Sequence, residues 1–247
     1  MPARHDNVDD PEIAAALLLA RRGQAYFSRA LGNLRDDEFD QPTRLGGWDR
    51  RHLIAHVGLN ARALTRLTEW ARTGIETPMY GSNTERDEEI DFASTLPVQA
   101  LRNLSDHAAV HLTVEWRDLP TEAWSARVRT AQGRDVPVSE TVWMRTREVW
   151  IHAVDLDSGA SFVDIPAAVI DHLLTDVSGA WARRRDAEGL PVVGFDATDR
   201  PAMASGESTD FTVRGPASRL AQWATGRGAA EVELVGGGPL PSPPRWL

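Results

Sequence analysis

Trp143-Met-Arg-Thr-Arg-Glu148-Val-Trp-Ile-His152-Ala-Val-Asp155 places a glutamate and a histidine four residues apart inside a strongly apolar stretch. Ser139-Glu140 precedes it and Gly159 follows it, so the spacing predicts a helix from about residue 139 to 156. Trp143, Met144, Val149, Trp150 and Ile151 call for burial. Glu148 and His152 share one face of that helix, with Cβ atoms ~5–6 Å apart. A buried glutamate needs a partner or a cation. Metal ligation with His152 is one solution, and an arginine such as Arg145 or Arg147 is the other.

The same spacing recurs elsewhere in the chain. Gly47-Trp48-Asp49-Arg50-Arg51-His52-Leu53-Ile54-Ala55-His56 opens a second predicted helix, from about Asp49 to Thr73, which Gly74 stops. An earlier helix is predicted over 9–34, with apolar residues at Ile13, Ala16, Leu17, Ala20, Tyr26 and Leu31. A further helical pattern covers 84–114, broken near Pro97, and carries the pair His107/His111. Residues 124–138 suggest a short hairpin. Helices with mostly short connections predict an antiparallel four-helix bundle, whose core can take metal ligands from facing helices.

The pattern changes after Gly159. Short apolar runs at 192–195, 211–213 and 232–235 alternate with helical stretches at about 165–186 and 216–225. The expectation is an α+β chain: a bundle over residues 1–158 and a smaller α+β domain over 159–247. Trp246 and Leu247, at the end of a Gly- and Pro-rich tail, are expected to dock on that second domain. Arg227 lies between two glycines after the 216–225 helix, and spacing alone reads it as a surface turn arginine.

Composition narrows the chemistry. The 247 residues contain neither cysteine nor lysine, and the formal net charge is −9. Disulfides, cysteine-ligated metals, a cysteine nucleophile and lysine Schiff-base chemistry are excluded. Any thiol must arrive as a separate molecule. The acidic balance argues against nucleic acid, and the longest apolar run, Ile13 to Ala20, falls short of the ~20 residues of a membrane span. A cytoplasmic location and no membrane partner are expected; oligomeric state is left open.

The 47–56 and 143–156 stretches resemble the mycothiol-dependent maleylpyruvate isomerases of actinobacteria. The likeness extends to Glu76-Thr-Pro-Met-Tyr80, Thr130-Ala-Gln-Gly-Arg134, Ala224-Thr-Gly-Arg227-Gly and the terminal Pro-Pro-Arg-Trp-Leu, covering nearly the whole chain in register. It implies a DinB-like bundle followed by a domain resembling sterol carrier proteins. It also implies a divalent metal, usually zinc, held by His52, Glu148 and His152, with an essential arginine at Arg227. His56 is expected in packing or in support of the ligands, and His107/His111 has no family role.

Two histidines and a glutamate leave zinc an open fourth position, the mark of a catalytic site. The implied activity is mycothiol-dependent cis–trans isomerisation of maleylpyruvate to fumarylpyruvate, a step of gentisate breakdown. Two alternatives stand beside it. One is a zinc-dependent mycothiol S-transferase acting on other electrophiles. The other is a binding module whose structural metal is closed by His56 as fourth ligand.

Overall fold

The computed structural model describes residues 5–201 and 208–246. The chain divides into two compact units, Met1–Ala160 and Ser161–Leu247. Among the described residues no helix is long and apolar enough to cross a membrane.

The first unit is built from long helices whose ends follow local signals. Helix α1 (Pro11–Gly32) starts at Asp10, whose carboxylate accepts from the backbone N–H groups of Glu12 and Ile13. Helix α2 (Arg50–Thr73) starts at Asp49 and ends at Gly74, which takes the left-handed conformation (φ 73°) that favours glycine. Pro97 separates α3 (Asn83–Ser94) from α4 (Val98–Asp118). Strands β1 (Arg127–Arg129) and β2 (Asp135–Pro137) form the predicted hairpin, and α5 (Glu140–Asp155) follows.

Helix α2 is buried on most of its surface and forms the centre of the bundle. Leu53, Ile54, Leu64 and Leu67 have no exposed surface, each stabilising by about 1.5–3 kcal/mol. Helices α1 and α5 meet closely at Gly23. A Cβ there would stand 2.6 Å from Trp150 Nε1 and 2.7 Å from Val149 Cγ2. The indole of Trp150 donates to the Leu19 carbonyl at 3.2 Å and packs on Tyr26.

Two arginines fix α5 against α2. Arg145, fully buried, donates to the Val57 carbonyl (2.7 Å), to Asn60 Oδ1 (2.9 Å) and to Gln24 Oε1 (2.8 Å). This answers one question left by the sequence, because Arg145 is committed to α1 and α2. Arg50, at the start of α2, donates to the carbonyls of Leu156 and Asp157 beyond the end of α5. These bonds satisfy carbonyls that a helix end leaves open.

The second unit holds α6 (Ala167–Glu188), β3 (Val193–Ala197), β4 (Phe211–Gly215), α7 (Ala217–Ala224) and β5 (Glu233–Leu234). The sheet order is β3-β4-β5, with β3 and β4 parallel and β5 antiparallel to β4. Trp181, Phe195, Phe211 and Trp223 form an aromatic cluster. The tail docks on it: the Trp223 and Trp181 indoles donate to the carbonyls of Pro241 and Pro244, each at 3.1 Å, and Trp246 is buried. Leu247 lies outside the described residues.

Candidate metal centre

His56, Glu148 and His152 offer one ligand atom each, all within 4.8 Å of one another. Glu148 and His152 come from adjacent turns of α5, and His56 faces them from the second turn of α2. The three side chains expose no more than 15% of their surface. His56 Nε2 is in close contact with Glu148 Oε1, and His152 Nε2 stands 3.3 Å from the same oxygen. Oε1 is buried and receives no well-directed hydrogen bond. Two ring nitrogens converging on an orphaned carboxylate oxygen fit a divalent cation.

The neighbouring groups orient the ligands. His152 Nδ1 donates to Asp155 Oδ2 at 2.9 Å, and the Asp155 side chain is fully buried. A carboxylate accepting from the far nitrogen sets the ring so that Nε2 faces the centre. The His56 ring lies 5.1 Å from the Trp48 ring, and Arg86 Nη2 lies 3.3 Å from His56 Nδ1.

Burial and charge set opposing pulls on the three groups. For Glu148, burial favours the neutral acid, but His56 and His152 outweigh it and hold the carboxyl well below its usual range. For His152, burial disfavours the charge, yet Glu148 and the bond to Asp155 push it up to about 9. For His56, burial prevails over Glu148 and moves it down. In the absence of a metal, Glu148 therefore pairs with one charged and one neutral imidazole.

His52 does not join this group, contrary to the ligand set that the sequence resemblance implied. Its Nδ1 bonds Asp49 Oδ1 at 2.7 Å and its Nε2 lies 3.8 Å from Asp91 on α3. It sits one helical turn before His56, beside the N-terminal cap of α2, while the registration of α2 against α5 sets His56 opposite Glu148. Glu148 and His152 are brought together as the spacing suggested. His107 and His111 are exposed on α4, and His111 lies 3.6 Å from Glu115.

Arg227 sits in a closed turn in the second unit. Gly226 (φ 78°) and Gly228 (φ 114°) flank it with conformations that a side chain would strain. Gln222 grips its backbone: the Arg227 N–H donates to the Gln222 carbonyl at 2.9 Å, and Gln222 Nε2 donates to the Arg227 carbonyl at 3.0 Å. The guanidinium Nη1 donates to the Thr225 carbonyl at 2.6 Å.

The sequence reading gave no role to Asp155, Tyr80 or Arg86. His152 and Asp155, three residues apart on one helix, carried a usable signal. Tyr80 stands in the family-like stretch 76–80, which marks the position without a role, and Arg86 carried no signal, since the start of α3 meets α2 only through tertiary packing.

A helical bundle with two histidines and a glutamate converging in its interior, followed by a smaller α+β unit, defines a class of metal-binding bundle proteins. The profile of the mycothiol maleylpyruvate isomerase N-terminal domain matches residues 20–157, and that of the MDMPI C-terminal domain matches residues 164–245. The chain belongs to the mycothiol maleylpyruvate isomerase family. A crystal structure of the mycothiol-dependent maleylpyruvate isomerase shares 42% identity, with a TM-score of 0.87 over 96% of this chain and 98% of that one. A crystal structure of a histidine-to-alanine mutant of that isomerase matches with the same identity and coverage and a TM-score of 0.88. No curated protein matches the chain.

Proposed function

We propose that this protein converts maleylpyruvate to fumarylpyruvate in a mycothiol-dependent reaction, using a divalent metal held by His56, Glu148 and His152. The observation that carries the reading is the convergence of one ligand atom from each of those three side chains to within 4.8 Å of one another. Family membership supports the substrate and the thiol.

Bound metal would supply the charge that keeps a thiol ionised at neutral pH, and mycothiol the sulfur whose reversible addition to the conjugated double bond lets that bond rotate from cis to trans. The protein's own residues do the rest. Asp155 holds the Nδ1 proton of His152, so the Nε2 lone pair is presented once its proton has left. Glu148 is ionised at neutral pH and brings negative charge to the centre. Three protein ligands suit zinc and leave a position open for a fourth; zinc is the metal we favour. We assign Arg227 to the negative charge that grows on the oxygens conjugated with the double bond during sulfur addition. A cytoplasmic setting, where free thiols stay reduced, belongs to the same proposal.

The test is an isomerisation assay on metal-loaded protein, with metal content measured. Turnover of maleylpyruvate is expected with mycothiol, and none after chelation or without the thiol. Thiol-independent turnover by the chelated protein would overturn the reading.

A further inference from the structure

Arg86 lies on α3, outside the three residues that hold the metal in the proposal above. Its Nη2 stands 3.3 Å from His56 Nδ1, and its Cζ lies 5.9 Å from the centroid of the Tyr80 ring. Its Nη1 donates to Asp87 Oδ1 at 2.6 Å, but the Asp87 side chain is 65% exposed, so this bond contributes little. The Arg86 side chain itself is 28% exposed. The guanidinium of a partly exposed side chain thus stands directly against one wall of the metal centre.

The contact with His56 is not one that Arg86 keeps in every state. A guanidinium only donates, so the lone pair of His56 Nδ1 is the acceptor. When His56 Nε2 is a metal ligand the ring proton sits on Nδ1, and donor then faces donor. Nη2 becomes available to an anion. Arg145 differs in kind, because its guanidinium is buried and already bonded to Val57, Asn60 and Gln24.

The substrate of the proposed reaction carries two carboxylates. With no lysine in the chain, any cation that meets them is an arginine, a histidine or the metal. A guanidinium presents paired donors that match a carboxylate. We propose that Arg86 binds one carboxylate of the dicarboxylate substrate beside the metal centre, with the Tyr80 hydroxyl as a neighbouring donor.

The hydroxyl suits that part. Burial and the nearby Glu148 charge push Tyr80 up to about 12, so it keeps its proton and donates throughout the neutral range. Arg86 would anchor the ground state and the transition state alike. Its removal should therefore appear in binding and KM more than in kcat. This inference rests on the isomerase reading.

The experiment uses metal-loaded wild type, Arg86→Met and Arg86→Lys, each with its metal content measured. Fumarylpyruvate, the trans product, is titrated calorimetrically without mycothiol, and maleylpyruvate turnover is measured with it. Arg86→Met is expected to retain the metal, bind fumarylpyruvate ~10- to 100-fold more weakly and show KM raised by a similar factor. Arg86→Lys should recover part of the loss by restoring the charge. Wild-type affinity in Arg86→Met, loss of its metal, or a defect confined to kcat overturns the inference. Wild-type turnover with an unchanged Arg86→Met overturns this inference alone, whereas a wild type that does not isomerise overturns the isomerase reading along with it.

Discussion

His152 donates from Nδ1 to the buried carboxylate of Asp155, 2.9 Å away and one turn later on the same helix. The bond turns the other ring nitrogen toward Glu148 and His56. Asp155→Asn preserves size but removes the charge that supports the imidazole. Metal affinity is expected to fall ~10- to 100-fold, as seen when carboxylates behind histidine ligands are lost. Competition with a chromophoric chelator measures it, and an unchanged constant would show that Asp155 does not tune the ligand.

The two histidines of α2 should separate cleanly. His56→Ala removes one of three converging ligands, and bound metal should be lost on dialysis. His52→Ala should retain it, because His52 faces Asp49 and Asp91. Its half-exposed pair with Asp49 is worth less than about 1 kcal/mol to stability. Metal analysis of both variants decides, and the reverse result would return His52 to the ligand set.

The pH dependence has a definite sign. The folded structure raises His152 from 6.5 to about 9, so in metal-free protein its stabilising contribution is complete below pH 6.5 and lost as pH rises toward 9. Glu148 is lowered from 4.5, so its contribution is complete above that value and lost only as pH falls through its depressed range. Chelated protein should therefore show a denaturation midpoint that declines from pH 6.5 to 9. Metal competes with the His152 proton, so metal affinity should climb over the same interval. Urea melts and metal titrations across it test both trends.

Gly23 lets α1 approach the helix that carries Glu148 and His152. Gly23→Ala drives a methyl group to 2.6 Å from Trp150 Nε1. An overpacking cost of about 1–3 kcal/mol is expected in urea denaturation. Gly32→Ala, at the end of the same helix with open space around the new Cβ, should cost nothing.

Arg227→Ala should keep the metal and lose turnover, roughly 100- to 1000-fold in kcat, the usual effect of removing one group that stabilises a developing oxyanion. Steady-state kinetics on metal-replete variant decide; an unchanged kcat/KM would remove Arg227 from the mechanism.

Much of the bundle was legible because helix ends are local events. Asp10 and Asp49 cap, Gly74 stops, and Pro97 divides α3 from α4 by chemistry contained within a few residues. The hairpin was legible for the same reason, since the turn from Thr130 to Arg134 closes on its own backbone bonds. Glu148 and His152 were legible because one helix carries both, and four residues on a helix always mean one face. Arg86 and Tyr80 were not, for their approach to α2 depends on how α3 packs.

The residues alone determined that α2 would present His52 and His56 on one face and that α5 would present Glu148 and His152 on another. They could not say which histidine meets the pair, because the two lie on the same stripe one turn apart and local spacing treats them alike. That choice belongs to the longitudinal registration of α2 against α5. Arg145 sets it by binding Val57 and Asn60, and Arg50 by binding the chain just beyond α5. A slide of one turn, ~5.4 Å, would exchange the two histidines, and only long-range packing and buried hydrogen bonds hold the helices at the position where His56 faces Glu148.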